Sequence, residues 1–143
     1  MKKLPVGWPR IAPALYYVKA GEAIDYLCRA FGFEVQLRVE GEGGRIEHSE
    51  LRLGDGLIMV GSVDKEPSAV VRRSPGQIGG VNTQTLCVSV PDADAHYQRA
   101  RAAGVKIVSE PKTSDYGENY PVFHGYEAED FEGHHWYFMH QVG

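Results

Sequence analysis

The sequence predicts an α+β fold made of two βαβββ units in succession, and three observations carry that expectation. The first is an internal repeat. Gly32 and Gly104 lie 72 positions apart, and Ala23 and Ala30 match Ala95 and Ala102 at the same offset. The second is that each half holds one stretch of apolar residues spaced three and four apart, the period of a helix face. The third is that β-branched and aromatic runs of strand length, bounded by glycine, surround each helical stretch. A single βαβββ unit has one helix to cover one face of its sheet, and it leaves strand edges unpaired. Two units side by side therefore predict a curved mixed sheet, with helices on the outer face and a cavity enclosed by the inner face. The expected layout is one domain over 1–143, with modules at about 10–61 and 83–141 joined by a loop at 62–82.

Ala12 to Val18 reads as the first strand. Gly21 ends it, and Ala23, Ile24, Leu27, Ala30 and Phe31 then share one helical face. Gly32 suits the helix C-terminus, because glycine adopts the left-handed conformation at little steric cost. Phe33 to Val39 is a second strand, and Gly41-Glu42-Gly43-Gly44 turns it into a third, Ile46 to Leu53. Gly54-Asp55-Gly56 leads into a fourth, Leu57 to Val60. Ser62 to Asn82 holds Pro67, Pro75, Gly76, Gly79 and Gly80 and reads as a surface loop, in which Ala69, Val70 and Val71 are available to pack. The pattern then restarts. Thr83 to Val90 is a strand, Asp92 a helix N-cap, and Ala93 to Ala103 a helix with Ala93, Tyr97 and Ala100 on one face. After Gly104 come strands at Val105 to Ser109, Tyr126 to Asp130 and His135 to Met139. Leu57–Val60 matches His135–Phe138 at an offset of 78, so the second half carries about six extra residues, placed at 117–125.

Composition narrows the function classes. Hydrophobic residues make up 43% and charged residues 24%, ordinary values for a globular chain. Lys plus Arg total 15 against 19 Asp plus Glu, a formal charge of -4, so neither nucleic acid nor an anionic membrane is an expected partner. No apolar run approaches the roughly 20 residues of a membrane span. Met1-Lys2-Lys3-Leu4-Pro5 lacks the apolar core of a signal peptide, and a cytoplasmic protein is expected. Cys28 and Cys87 then read as two buried, reduced thiols.

Several stretches together resemble the vicinal oxygen chelate superfamily. They are Ala23 to Glu34, His48-Ser49-Glu50-Leu51, Gly54 to Met59, Asp92 to Tyr97, Ala103-Gly104, Tyr116-Gly117 and Asp130-Phe131-Glu132-Gly133-His134. That superfamily holds glyoxalase I, extradiol dioxygenases, fosfomycin-resistance enzymes and bleomycin-resistance proteins. The nearest likeness is to its glyoxalase/bleomycin-resistance, PhnB-like branch. The resemblance implies a paired βαβββ fold, a homodimer and a ligand cavity. It also implies one divalent metal held from four strands, and those positions fall at or near Ala12 and at Met59, Thr85 and Tyr137. None is His, Glu or Gln, and a one-residue slip brings in only Gln84. Three or more good donors are needed for such a site, so no metal and no other cofactor is expected.

Three groups of residues are candidates for chemistry. His48 and Glu50 lie two apart in a strand and share a face, either as an acid–base pair or two metal ligands, or as a surface or interface pair. Among His124, His134, His135 and His140, alternation puts His134, Trp136, Phe138 and His140 on one face and His135, Tyr137 and Met139 on the other. By the register that the superfamily resemblance implies, the second set faces the cavity, so only His135 is placed for ligand contact, either as a catalytic group or as a structural hydrogen-bonding one. Cys87 has no histidine partner evident in the sequence and reads as an inert thiol. Tyr16, Met59, Thr85, Cys87, His135, Tyr137 and Met139 form the expected ligand-binding lining, with Ser89 alongside. Such a lining suits a flat or aromatic organic ligand, unless these side chains only fill the cavity. Tyr120 and Phe123 in the added loop either close over a ligand or cover a dimer interface. The leading expectation is a metal-free homodimer that binds a small organic molecule. The rival is a lyase, isomerase or dioxygenase-type enzyme of the same superfamily, using His48, Glu50 and His135 with or without a metal.

Overall fold

The computed structural model describes residues 1–66 and 71–143. The chain divides into two compact units, Met1–Ser74 and Pro75–Gly143. In the first, β1 (Ala14–Tyr17), α1 (Ala20–Phe31), β2 (Glu34–Glu40), β3 (Ile46–Leu53) and β4 (Gly56–Ser62) build a four-stranded sheet of order β1-β4-β3-β2. In the second, β5 (Thr85–Ser89), α2 (Ala93–Ala102), β6 (Lys106–Ser114), β7 (Phe123–Glu129) and β8 (His135–Gln141) repeat it as β5-β8-β7-β6. β1 runs parallel to β4 and β5 parallel to β8, while the other pairs are antiparallel. The predicted α+β class and the two βαβββ units are the observed ones.

The period-3.6 residues of α1 are its buried face. Ala23, Ile24, Leu27, Ala30 and Phe31 are all fully buried. They meet the sheet face that carries Leu15, Tyr17, Leu51 and Val60. Full burial of each large side chain stabilises by about 1.5–3 kcal/mol. Gly32 ends the helix at φ +87° with its N–H on Cys28 O at 3.1 Å. On this face Ser49 is the polar exception, and its hydroxyl donates to Val60 O at 2.6 Å.

In the second half Trp136, Phe138, Tyr126 and Ala128 are buried on the α2 side, with Ala93, Tyr97 and Ala100 of the helix. The rings form one layer. Trp136 and Phe138 stack at 5.9 Å, and His96 of α2 lies 4.2 Å from Phe138. Asp92 caps α2 by accepting from Ala95 N at 3.1 Å. The turn before β8 is organised by Asp130. Its Oδ1 accepts from the N–H of Glu132 and of His134, and its Oδ2 accepts from Trp136 Nε1 at 3.1 Å.

Boundaries depart from expectation where local breakers are outvoted by packing. α1 begins at Ala20, so Gly21 sits in its first turn; Ala20 is buried against the sheet and anchors that turn. β6 continues through Pro111 to Ser114, as an edge strand permits because its outer N–H needs no partner. β7 starts at Phe123, so much of the added segment lengthens the β6–β7 hairpin and leaves 115–122 as its tip. The expectation of two buried thiols is corrected. Neither is in a disulfide, but Cys28 is half-buried and Cys87 is exposed, because strand alternation turns Cys87 away from α2. The predicted packing of Ala69 and Val70 lies outside the described residues, and Val71 is exposed.

Candidate functional site

Each sheet has a face that its helix does not cover, and the sequence-predicted residues divide between these two open faces. In the first half, Leu15 and Tyr17 go under α1, which leaves Ala14 and Tyr16 on the open side. Met59 stands between Ala14 on β1 and Glu50 on β3. Tyr16 lies over Gly61, where a methyl group would fall 3.6 Å from its ring. Arg72, paired with Asp64 at 3.6 Å, sits 5.4 Å from the Tyr16 ring centroid.

His48 and Glu50 are brought together on this face. His48 Nε2 donates to Glu50 Oε2 at 2.7 Å, and Gln36 Nε2 donates to Glu50 Oε1 at 2.8 Å. Arg52 Nε donates in turn to Gln36 Oε1, and Arg52 Nη1 reaches Gly7 O at 3.5 Å. The Glu50 side chain is only 8% exposed, against 42% for His48. Burial pushes the carboxyl pKa up. The hydrogen bonds from Gln36 and His48, with the charges of His48 and Arg52, outweigh that and hold it below its ordinary value. Glu50 is therefore a buried carboxylate that stays ionised. Gln36 and Arg52 were not singled out from sequence. A bulge between Val35 and Leu37 breaks the alternation of β2, so Gln36 and its neighbour Leu37 both come to Glu50.

In the second half, Thr85, Cys87 and Ser89 of β5 stand beside His135, Tyr137 and Met139 of β8. Glu129 and Glu127 of β7 flank His135 and Tyr137 from the other side. His135 Nε2 donates to Glu129 Oε1 at 3.0 Å, and Lys106 Nζ holds Glu129 Oε2 at 2.8 Å. The hydrogen bonds from Lys106 and His135 keep Glu129 below its ordinary pKa. Tyr137 lies across Gly125, where a methyl group would fall 2.9 Å from its Cζ. No larger residue fits beneath that ring. Burial, then Tyr116, Cys87 and Glu127, push the Tyr137 phenol up. Loss of water around the Cys87 sulfur pushes its thiol up too, which disfavours a thiolate nucleophile.

The hairpin tip adds rings to this half. Tyr116 and Tyr120 meet edge to face at 6.3 Å, as do Tyr120 and Phe123. Tyr116 and Tyr120 are exposed, at 75% and 61%. The other histidines serve the opposite face. His140 Nδ1 accepts from Ala93 N at 2.9 Å, and His124 bridges Thr113 and Asp94 at 3.0 and 2.9 Å.

The donor chemistry of the metal positions is poor. Met59 neighbours Ala14, Thr85 neighbours His135, and Tyr137 neighbours Cys87. A thioether, an alcohol and a phenol are weak ligands for the divalent ions that favour imidazole or carboxylate. Among the described residues no group of three or more His, Cys, Asp or Glu side chains is arranged to hold an ion. A cleft of about 560 Å³ in the first half lies elsewhere, at the start of α1. Its lining mixes Lys19 and Arg45 with Glu22 and Glu42, without a shared directed group.

The fold and these faces define a member of a known family. The family model for the Glyoxalase/Bleomycin resistance protein/Dioxygenase superfamily matches residues 10–138, and the chain belongs to that superfamily. Among particular relatives, it is similar to TioX from Micromonospora sp. ML1, at 32% identity and a TM-score of 0.69, covering 92% of this chain and 98% of that one. It is also 31% identical over 128 residues to the uncharacterized protein Rv0887c of Mycobacterium tuberculosis, covering 90% of this chain and 72% of the relative. A glyoxalase/bleomycin resistance protein/dioxygenase from Alicyclobacillus acidocaldarius shares the fold, with a TM-score of 0.65 at 12% identity over 98% of this chain and 96% of that one.

Proposed function

We propose that this chain binds a flat or aromatic small organic molecule without a divalent ion, as a homodimeric, cytoplasmic, PhnB-like member of its superfamily. The observation that carries the reading is the Tyr137 ring laid across Gly125, with Tyr116, Tyr120 and Phe123 in the same half. Exposed rings are expensive to leave in water, and their faces attract other flat π systems. Thr85, Cys87, His135 and Met139 supply the border of the same platform, with a hydroxyl and an imidazole for directed hydrogen bonds. The absence of a metal rests on the residues at positions 12, 59, 85 and 137, which offer no strong ligand.

Dimerisation is supported by the edges. β2 is an edge strand with all seven residues exposed, among them Val35, Leu37 and Val39 at 47%, 42% and 42%. It lacks the proline and lysines that guard the β6 edge. The cytoplasmic assignment is supported by two cysteines that form no disulfide.

Isothermal titration with phenazine, proflavine and naphthoate, which are neutral, cationic and anionic flat molecules, tests the binding. Saturable binding of at least one, weakened by Tyr137→Ala, is expected. Heat signals from none of the three, or binding indifferent to that substitution, would overturn the reading.

A further inference from the structure

The first half carries a group that ligand stacking does not use. His48 is tied to Glu50 through Nε2 alone, and no partner is recorded for its Nδ1 among the described residues. An ionised carboxylate only accepts, so the bond to Glu50 places the ring proton on Nε2 and leaves a lone pair on Nδ1. Glu50 is buried, and it is fixed on its second oxygen by Gln36. The imidazole is therefore oriented by a carboxylate that is itself held in place, while the ring remains 42% exposed. Apolar side chains also border the pair. Val39 stands opposite His48, and Leu37 and Met59 flank Glu50 on the two adjoining strands.

The second half offers a contrast. His135 also bonds a carboxylate, but Glu129 is already neutralised by Lys106 at 2.8 Å. Among the described residues Glu50 has no ion pair with a lysine or arginine; Arg52 hydrogen-bonds to Gln36 and acts on the carboxylate by its charge alone. The ionised Glu50 carboxylate faces the His48 ring.

We infer that His48 is a metal-free general base, positioned by Glu50, that tautomerises carbonyl compounds carrying an acidic C–H. His48 Nδ1 takes the proton from the carbon next to the carbonyl. The C–H bond breaks, an N–H bond forms, and the electron pair moves onto the carbonyl oxygen as an enolate. The imidazolium then returns the proton to that oxygen, which gives the enol and restores the neutral ring. The proton changes place within one molecule, so no oxidant, reductant or co-reactant is needed. His48 is the catalytic residue, Glu50 a positioning residue, and the Met59 side chain on the neighbouring strand packs against the organic body of the substrate.

Benzoylacetone, a flat aromatic carbon acid whose enol absorbs strongly in the ultraviolet, is the probe. Diluted from organic solvent into buffer, it relaxes from enol toward keto, the reverse of the same two steps. The intact protein should speed that relaxation beyond free imidazole at equal concentration, by about a hundredfold or more. His48→Gln should remove the acceleration. Glu50→Gln should lower kcat with KM nearly unchanged, and Glu50→Asp should restore part of it. Because Glu50 is buried and its variants are at risk of misfolding, wild-type protein supplies a second measurement. Diethyl pyrocarbonate should acylate residue 48, located by peptide mass, and the activity should fall in step with that modification. No acceleration over free imidazole, or acceleration that survives His48→Gln or acylation at 48, overturns the assignment. The stacking site is a separate feature, so loss of phenazine or proflavine binding bears on the proposed ligand and not on His48.

Discussion

Tyr137→Ala and Trp136→Ala should separate the two faces of one strand. The residues are adjacent in β8, yet Trp136 is fully buried under α2 while Tyr137 is half-buried on the open face. Trp136→Ala leaves a cavity beneath the helix and strands the Asp130 carboxylate, whose Oδ2 accepts its indole N–H at 3.1 Å. Removal of a buried aromatic of this size costs about 3–5 kcal/mol. Tyr137 has no such enclosure, and what it loses is the contact of its ring with Gly125. At about 25 cal/mol per Å² over roughly half the ring's area, the expected cost is about 1–2 kcal/mol. Loss of a stacking partner should instead weaken an aromatic ligand by about 1 kcal/mol or more, roughly fivefold. Urea denaturation followed by circular dichroism measures the first quantity and isothermal titration the second. A Tyr137→Ala variant as destabilised as Trp136→Ala, with ligand affinity intact, would show that the ring is core and would refute the reasoning.

Four further outcomes follow from the same structure. Asp130→Ala should cost about 2–4 kcal/mol in urea, since it leaves a buried indole N–H and two turn N–H groups without an acceptor. Glu129 has its pKa lowered below the ordinary 4.5, first by Lys106 and then by His135, so its contribution is complete above that pH and is lost as pH falls through the folded value. The stability gap between wild type and Glu129→Gln should therefore be present at neutral pH and close in acid, as read by denaturant midpoints at each pH. Sedimentation at micromolar concentration should show a dimer that Val35→Lys weakens; a wild-type monomer would count against the β2 edge as its seat. Protein purified without an affinity tag should carry well under one equivalent of zinc, nickel, manganese or iron, with a Tm unmoved by chelator; stoichiometric metal lost in His48→Ala or His135→Ala would reverse that expectation.

The fold was legible because its signals are local and repeated. Ile24, Leu27 and Phe31 announce a helix face by spacing alone, and the same spacing buries all three. The open-face set was legible for the same reason. Tyr16, Met59, Cys87 and Tyr137 follow strand alternation, and the observed register places Met59 beside Ala14 and Tyr137 beside Cys87. What was not legible depends on long-range register or on exceptions to period two. Glu129 meets His135 only through the β7–β8 pairing, six residues apart across a turn. Gln36 reaches Glu50 through a bulge. The exposure of Cys87 was misread because a thiol is usually buried, whereas here the alternation of β5 decides its side. Gly125 looked like part of an insertion, and its role as a floor for the Tyr137 ring needs the hairpin register to be known.

The duplicated scaffold also explains why the two halves differ in chemistry. Matching registers set Ala14, Met59 and Glu50 in one row across β1, β4 and β3, and Cys87, Tyr137 and Glu127 in the corresponding row across β5, β8 and β7. Each row ends in a glutamate at the same place. In the first half that glutamate is buried and absorbed by Gln36 and His48, beside a flexible methionine. In the second it is exposed beside a tyrosine ring, and the position equivalent to His48 is the glycine that lets the ring lie down. One residue pair therefore decides each half's character. A histidine at the β3 position makes a carboxylate–imidazole pair, while the glycine at the β7 position leaves room for the Tyr137 ring.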